Sequence, residues 1–348
     1  MILNHPWLGA LFGDPEMSAL WSAERQLDHY LAFETALALA LETTGRVLSP
    51  QGQLAADVIE SADIDIASLA KSTQRDGLPI PDFVKQLRTQ SGVNAGAVHT
   101  GATSQDVMDT ALALTLKDVS NLVVTKVTAL DAALANLVAQ HGDAHLMGRT
   151  RMQAALPITV ADRVQAWRKP LQDHVAGLEI LRTRVERLQL GGAVGTRLGF
   201  GKDGDAIAAH MADALGLADG PVWHTDRTGL AEYGSRLSLI TGSLGKLGQD
   251  VALMAQQGVD EITLKGGGGS SAMPHKSNPV DAELLVTIAR FNATQVAGLH
   301  HAVIHEQERS GAAWMLEWMI LPQMAIAAGR ALNAAQDICS RIQAIGGS

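Results

Sequence analysis

The stretch from Gly266 to Pro279 combines the residue types of a loop with those of a reactive site. It opens with four consecutive glycines, which would lose much conformational entropy in a helix or strand, so we expect a mobile loop. Hydroxyl, cationic and amide side chains follow: Ser270, Ser271, His275, Lys276 and Asn278. Polar groups behind a glycine hinge are typical of a lid, because closure must expel water while it completes the site. The alternative interpretation is a solvated linker.

A second polar stretch, His99 to Asp106, marks the predicted start of a long helix. Thr103 or Ser104 can cap that helix, and Asp106 suits the positive end of its dipole. A helix N-terminus with additional hydroxyl and N–H groups is also a ready binding site for a carboxylate. The sequence therefore predicts an anion site where this helix begins.

Two further segments carry charge between predicted helices. Gly148 to Gln153 reads Gly-Arg-Thr-Arg-Met-Gln and precedes Pro157, which we expect to start the second long helix. His305 to Ser310 reads His-Glu-Gln-Glu-Arg-Ser and interrupts the helical pattern near the C-terminus. No second histidine stands four residues after His305, so we do not expect a zinc site there.

Composition limits the classes of partner. The net charge of −9 and pI near 5.7 argue against nucleic acid and against anionic membrane surfaces, so an anionic substrate would need local cations. A single cysteine, Cys339, cannot form an internal disulfide. We see neither a signal peptide nor a run of about 18 apolar residues, and expect a soluble, cytoplasmic protein.

The glycines of 199–204 fit a dinucleotide-binding motif, but no predicted strand precedes them, so we do not expect a dinucleotide site there.

The elements that position these segments are helices. Aromatic residues make up 4% of the chain and hydrophobic residues 47%, so Ala, Leu and Val must fill the core. We predict an all-α protein with a small helical domain over 1–97 and a long-helix bundle over 98–348. Apolar residues recurring at three, four and seven place long helices around 112–137, 160–188 (kinked at Pro170), 237–254, 281–302 and 322–344. Their long apolar seams predict association across subunits.

The motifs together resemble those of the fumarase/aspartase superfamily, whose members make or break a bond beta to a carboxylate. Gly269 to Pro279 is similar to its mobile signature loop, and Thr103, Ser104 and Asp106 match its first signature region. The segment 148–153 matches the second region, with Arg151 where many members have histidine. Segments 191–196 and 305–318 resemble the family of bacterial 3-carboxy-cis,cis-muconate cycloisomerases. Members continue into a further small helical domain, which we expect to be absent because the sequence ends at Ser348.

This resemblance implies a cycloisomerase that closes 3-carboxy-cis,cis-muconate to 4-carboxymuconolactone in aromatic catabolism. Ser270 would transfer the proton to carbon, while Lys276 and Asn278 would stabilise the carboxylate that gains charge. Substrate binding would fall to His99, Thr103, Ser104, Gln153, Arg149, Arg151, His275 and Arg309. The resemblance implies no metal and no organic cofactor, and a homotetramer whose sites are shared between chains.

Two alternatives stay open. One is a fumarate-releasing lyase acting on adenylosuccinate or argininosuccinate. Arg151 disfavours it, because a guanidinium that stays protonated cannot act as the acid that histidine supplies in those enzymes. Arg75 and Asp76, where adenylosuccinate lyases carry a His-Asp pair, also disfavour it. The other alternative is a non-catalytic helical scaffold.

Overall fold

The computed structural model describes residues 5–269, 272–273 and 276–347, and these residues are mostly helical. The N-terminal helices are α1 (Leu8–Phe12), α2 (Pro15–Ala19), α3 (Ala23–Thr43), α4 (Gln51–Glu60), α5 (Ile66–Asp76) and α6 (Ile80–Ser91). The remaining helices are α7 (Ser104–His141), α8 (Val160–Val185), α9 (Gly204–Leu215), α10 (Thr228–Met254), α11 (Val280–His301) and α12 (Ala312–Arg341). The predicted all-α class is confirmed.

Two of the N-terminal helices, α2 and α3, begin at capping side chains. Asp14 accepts a hydrogen bond from the N–H of Met17 at 3.1 Å, and Ser22 accepts one from the N–H of Arg25 at 3.1 Å. These helices share an apolar core with residues from later in the chain, including Phe200 of the loop before α9. The domain boundary near residue 97 therefore stays a prediction, since packing continues across it.

The long helices α7, α8, α10, α11 and α12 form a bundle with alternating directions. The first turns of α7, the end of α8 and the starts of α10 and α12 meet at one end, which we call the upper end (residues 99–110, 186–193, 223–230 and 302–317). The opposite, lower end comprises residues 141–159, 254–269, 272–273, 276–280 and 341–347. The chain therefore places different signature segments at different ends of one bundle.

Close approach between α10 and α11 depends on glycine. A Cβ at Gly248 would lie 2.5 Å from the carbonyl oxygen of Ala282 and 2.7 Å from Cβ of Leu285. A Cβ at Gly245 would lie 2.6 Å from Cβ of Ala289. Real side chains do not fit at these distances, so small residues set the separation of these two helices.

Two short sheets complete the fold, and they correct one helix start. Strands β1 (His145–Thr150) and β2 (Gln153–Thr159) form an antiparallel hairpin, and β3 (Ile262–Leu264) pairs with β4 (Ile342–Ile345). Pro157 does not start α8 but lies in β2 opposite Met147, where a strand with an unpaired edge tolerates the missing N–H. Helix α8 starts at Val160, and Thr159 caps it by accepting from the N–H of Asp162.

The predicted start of the last long helix was also wrong. We expected it at Pro322, but α12 begins at Ala312 and Pro322 lies inside it. Proline costs one backbone hydrogen bond in a helix interior, and here the buried residues on both sides of it outweigh that loss. Pro170 lies inside α8 as predicted, and the kink there stays a prediction.

Helix α7 is, within the described ranges, the helix long and apolar enough to cross a membrane. It packs against α3, α8 and α12, and it carries the buried acids Asp106 and Asp109 near its start. These contacts make it a core helix of the bundle.

Candidate active site

The signature loop is anchored where its two arms meet, at the lower end. The N–H of Gly268 donates to the carbonyl of Asn278 at 3.0 Å, and the N–H of Asn278 donates back to the carbonyl of Gly268 at 3.0 Å. Lys276 is exposed, and its N–H donates to the carbonyl of Met273 at 3.0 Å. Ser270 and His275 lie outside the described residues, so their roles stay predictions.

The hairpin β1–β2 presents the basic segment at the same end. Thr150 pairs with Gln153, leaving Arg151 and Met152 as a two-residue turn with φ of 48° and 66°. Turns of this kind favour Asn-Gly, so two bulky residues there impose backbone strain, a feature that clusters at functional sites. Both Arg151 and Gln153 are exposed, as a substrate-binding role would require.

Arg149 is held by the neighbouring sheet. One guanidinium nitrogen, Nη1, donates to Oε1 of the buried Glu261, and the same nitrogen lies 3.2 Å from the carbonyl of Met147. The carboxylate neutralises part of its charge. Arg149 therefore connects the hairpin to the start of β3, whereas Arg151 is exposed to solvent.

The predicted anion site lies at the upper end, where Thr103 caps α7 and Ser104 is its first residue. Buried Asp106 accepts hydrogen bonds from the N–H of Thr103 at 3.0 Å, of Gly191 at 2.7 Å and of Gly192 at 2.9 Å. These contacts fix the first turn of α7 against the glycine segment that follows α8. Thr103 and Ser104 are both half-buried, so the helix start is reachable from solvent.

His99 is positioned by a buried acid. Its Nδ1 lies 2.6 Å from Oε1 of Glu34, a residue with no solvent exposure. The backbone of His99 has φ of 58°, which is uncommon for a residue other than glycine. The other carboxylate oxygen of Glu34 has no hydrogen-bond partner within the described ranges. The acid therefore holds the imidazole in one orientation near the start of α7.

Arg309 reaches the same region from the segment before α12. Its Nε donates to Oε1 of Gln105 at 2.8 Å, and its Nη2 donates to the carbonyl of Ala193 at 3.2 Å. Gln105 in turn donates through Nε2 to Oδ2 of Asp109 at 3.1 Å. The exposed Arg309 is thus connected to a buried ionic cluster beneath it.

That cluster has Arg227 at its centre. Nη1 and Nη2 donate to the two oxygens of Asp109 at 2.7 and 2.9 Å, and Nε and Nη2 donate to the two oxygens of Glu317 at 2.9 and 2.6 Å. Trp314 adds a bond from its indole N–H to Asp109 at 3.1 Å. All three charged side chains are 1% exposed.

Arg227 keeps its charge although it is buried. Burial alone would lower the pKa of Arg227, but Asp109 and Glu317 outweigh that effect and raise the pKa above its ordinary value. Two bidentate pairs on one guanidinium satisfy its donors and fix its plane. This arrangement joins the starts of α7, α10 and α12. It also holds Gln105 in place through Asp109, and Gln105 in turn accepts the hydrogen bond from Arg309.

The structure brings some predicted site residues together and separates others. His99, Thr103, Ser104 and Arg309 share the upper end. The described residues at the lower end are Arg149, Arg151, Gln153, Lys276 and Asn278. Helix α7 runs between the two ends over 38 residues, which at 1.5 Å per residue is about 57 Å. One chain therefore cannot bring all the predicted residues onto one small substrate.

Sequence reasoning missed the ionic cluster and the acid behind His99. Asp109 and Arg227 lie 118 positions apart, and Glu34 and His99 lie 65 apart. A buried ion pair across such distances leaves no local pattern. The available signal was an acid or arginine inside an apolar helical seam, as at Asp109 three residues after Asp106.

Comparison with known proteins decides the family. A family model described as Lyase matches residues 14–298. The chain belongs to this lyase family of the fumarase/aspartase superfamily. It is therefore an enzyme of that superfamily, and the alternative of a non-catalytic scaffold is set aside.

The matches to relatives extend over most of the chain. The chain is 36% identical to 3-carboxy-cis,cis-muconate cycloisomerase of Pseudomonas aeruginosa, over 94% of its own length and 73% of that protein. It is 32% identical to N-acetyl-S-(2-succino)cysteine lyase of Enterococcus italicus, over 90% of this chain and 70% of that protein. The solved structure of 3-carboxy-cis,cis-muconate lactonizing enzyme from Pseudomonas putida superimposes with a TM-score of 0.92 at 34% identity, covering 98% of this chain and 78% of that one.

Proposed function

We propose that this lyase is a cycloisomerase that converts 3-carboxy-cis,cis-muconate to 4-carboxymuconolactone in the cytoplasmic breakdown of aromatic compounds such as protocatechuate. The observation that carries the proposal is the 36% identity to a named cycloisomerase over 94% of the chain. The charge distribution agrees with it, because exposed Arg151, Lys276 and Arg309 suit a substrate with three carboxylates.

The reaction is an intramolecular addition. A carboxylate oxygen of the muconate forms a bond to a diene carbon, and the displaced π electrons move onto a second, conjugated carboxylate. Lys276 and Asn278 stabilise the charge that collects there. Ser270 then delivers a proton to the adjacent carbon, and its oxygen recovers a proton from solvent. Apart from the one proton taken up on carbon, nothing is gained or released, so the lactone is the sole product.

Substrate binding uses the two ends of the bundle. Thr103 and Ser104 offer hydroxyl and N–H groups at the start of α7, with His99 and Arg309 beside them. Gln153, Arg149 and Arg151 supply the second set of groups from the lower end, and His275 of the signature loop completes the set. Since about 57 Å of α7 separates the ends of one chain, we propose a homotetramer in which neighbouring chains place an upper end against a lower end.

Activity on the purified protein tests the reaction. We expect the diene absorbance of carboxymuconate to disappear without release of a second product. Replacing Ser270→Ala should reduce kcat by at least about a hundredfold with the oligomer intact. The matched control is Ser277→Ala, a serine of the same loop whose Oγ lies 3.5 Å from the carbonyl of Gly266. Equal turnover of the two variants would remove Ser270 from the mechanism.

Mixing two inactive variants tests the shared site. Ser104→Ala damages the upper end and Ser270→Ala the signature loop, whose described arms lie at the lower end, so neither homo-oligomer should turn over at the wild-type rate. After the two are unfolded and refolded together, about one site in four would combine an intact upper end with an intact lower end. We expect roughly a quarter of wild-type activity to return. A mixture no more active than its parents would mean that each site is built by one chain.

The second candidate is a fumarate-releasing lyase acting on a succinyl-substituted substrate. The relative named N-acetyl-S-(2-succino)cysteine lyase, at 32% identity, favours keeping it. A screen with carboxymuconate, argininosuccinate, adenylosuccinate and N-acetyl-S-(2-succino)cysteine separates the two. Fumarate from one of the last three, with carboxymuconate untouched, would establish the lyase and reject the cycloisomerase.

A further inference from the structure

A cavity of about 490 Å³ lies between the N-terminal helices and the bundle, apart from the exposed predicted site residues. Helices α3, α5, α7 and α12 form its walls. Most of the lining is apolar, including Leu27, Leu69, Met108, Leu112, Trp318 and Leu321. Volumes of this size are typical of sites for small organic molecules.

Two hydrogen-bond donors of the lining have no partner in the described part of the chain. They are the hydroxyl of Tyr30 and the indole N–H of Trp21, and both atoms are buried. Tyr30 is only 3% exposed, and burial raises its pKa, so the hydroxyl keeps its proton. A buried donor without an acceptor costs about 1–3 kcal/mol. An occupant with an acceptor oxygen would recover that cost.

The charges of the lining select a neutral occupant. Asp109 and Glu317 line the cavity, while lysine, arginine and histidine are missing from its lining residues, all of which lie in the described ranges. The guanidinium of Arg227 already engages both carboxylates. An anion would therefore meet negative groups without a facing cation, which distinguishes this cavity from the candidate site for a polycarboxylate.

We propose that this cavity binds a neutral, mostly apolar carbonyl compound, whose oxygen accepts hydrogen bonds from Tyr30 and Trp21 while its ring or chain packs on the apolar wall. The site is separate from the proposed reaction and does not depend on it.

Calorimetric titration of the intact protein tests this site with three probes of one shape. The probes are 2-acetylnaphthalene, which carries the carbonyl, 2-ethylnaphthalene, which lacks it, and 2-naphthoate, which is charged. We expect the ketone to bind most tightly and the naphthoate most weakly. Naphthoate binding more tightly than the ketone, or no binding by the ketone, would overturn the proposal.

Two tyrosine variants identify the contact. Tyr30→Phe should weaken binding of the ketone about five- to tenfold and leave the hydrocarbon unchanged. Tyr233→Phe is the matched control, because Tyr233 is equally buried but already bonded to Ser120 at 2.9 Å. It should leave ketone binding unchanged. If Tyr30→Phe binds the ketone as tightly as wild type, the hydroxyl is not a ligand contact and the proposal fails.

Discussion

Replacing Arg227→Met should destabilise the protein strongly, and more so as pH rises. The substitution keeps an unbranched apolar stem but removes the guanidinium, so Asp109 and Glu317 stay buried without their cation. At a charge separation of about 4 Å and an effective dielectric constant of about 20, each pair attracts by about 4 kcal/mol. Desolvation offsets part of this, so we expect a loss of about 3–5 kcal/mol at neutral pH.

The pH dependence follows from proton binding. Without Arg227, the buried carboxylates of the folded variant take up protons, whereas in the unfolded chain they release them above about pH 4. The folded variant then binds more protons than the unfolded one, so its stability falls as pH rises. The deficit relative to wild type should be smaller near pH 5 than near pH 8.

Urea unfolding followed by circular dichroism, at fixed protein concentration and at pH 5, 6.5 and 8, measures both effects. Arg168→Met is the matched control. Arg168 also makes a two-nitrogen contact with an aspartate, Asp131, but the two side chains are 19% and 24% exposed. Its loss should cost at most about 1 kcal/mol. If Arg227→Met costs no more than Arg168→Met, or if its deficit does not change with pH, the buried cluster does not hold the upper end together as argued.

Three further changes test other parts of the fold and site. Gly248→Ala should destabilise the bundle by about 1–3 kcal/mol because its Cβ would overlap Ala282 and Leu285. Gly242→Ala lies in the same helix with nothing within 4 Å of the new Cβ, so it should stabilise the bundle by about 0.5–1 kcal/mol. Urea midpoints of the two variants that move in the same direction would contradict this. Burial lowers the pKa of His29 to about 4, so the unfolded chain binds a proton that the folded chain rejects as pH falls from about 6.5 to 4, and wild type should lose stability across that range. His29→Gln should lose less, which urea midpoints at pH 4.5 and 7.5 would reveal. Glu34→Gln replaces the carboxylate that faces His99 and should lower kcat/KM on carboxymuconate roughly tenfold, with an unchanged circular dichroism spectrum. Full activity of this variant would mean that catalysis does not need His99 to be held in this orientation.

Local signals in the sequence predicted most of the helical architecture. The start of α7 at Thr103 was predictable because a hydroxyl-bearing cap is recognised from neighbouring residues alone. Two predicted helix starts, at Pro157 and Pro322, were wrong for the same reason. A proline often marks the first turn of a helix, but Pro157 lies in a strand and Pro322 in a helix interior, and packing with distant residues decided both.

The candidate site was predictable only in part. Thr103 and Ser104 could be placed at a helix start from composition, and Lys276 and Asn278 in a loop from the glycines before them. The contacts that hold such residues join positions far apart in sequence, as Arg309 with Gln105 shows. Pairing of that kind is a property of the folded bundle, and the periodicity of one helix carries no information about it.

The acidic net charge of this lyase does not describe the surface that a polyanion would meet. Asp106 accepts backbone N–H groups, and Asp109 and Glu317 lie below the surface, where both are paired with the guanidinium of Arg227. At the lower end, Arg151 and Lys276 are exposed. Free charges farther apart than about 8 Å are largely screened at physiological ionic strength. Carboxylates elsewhere on the protein therefore contribute little where a substrate binds, and attraction is set by the few cations within that distance.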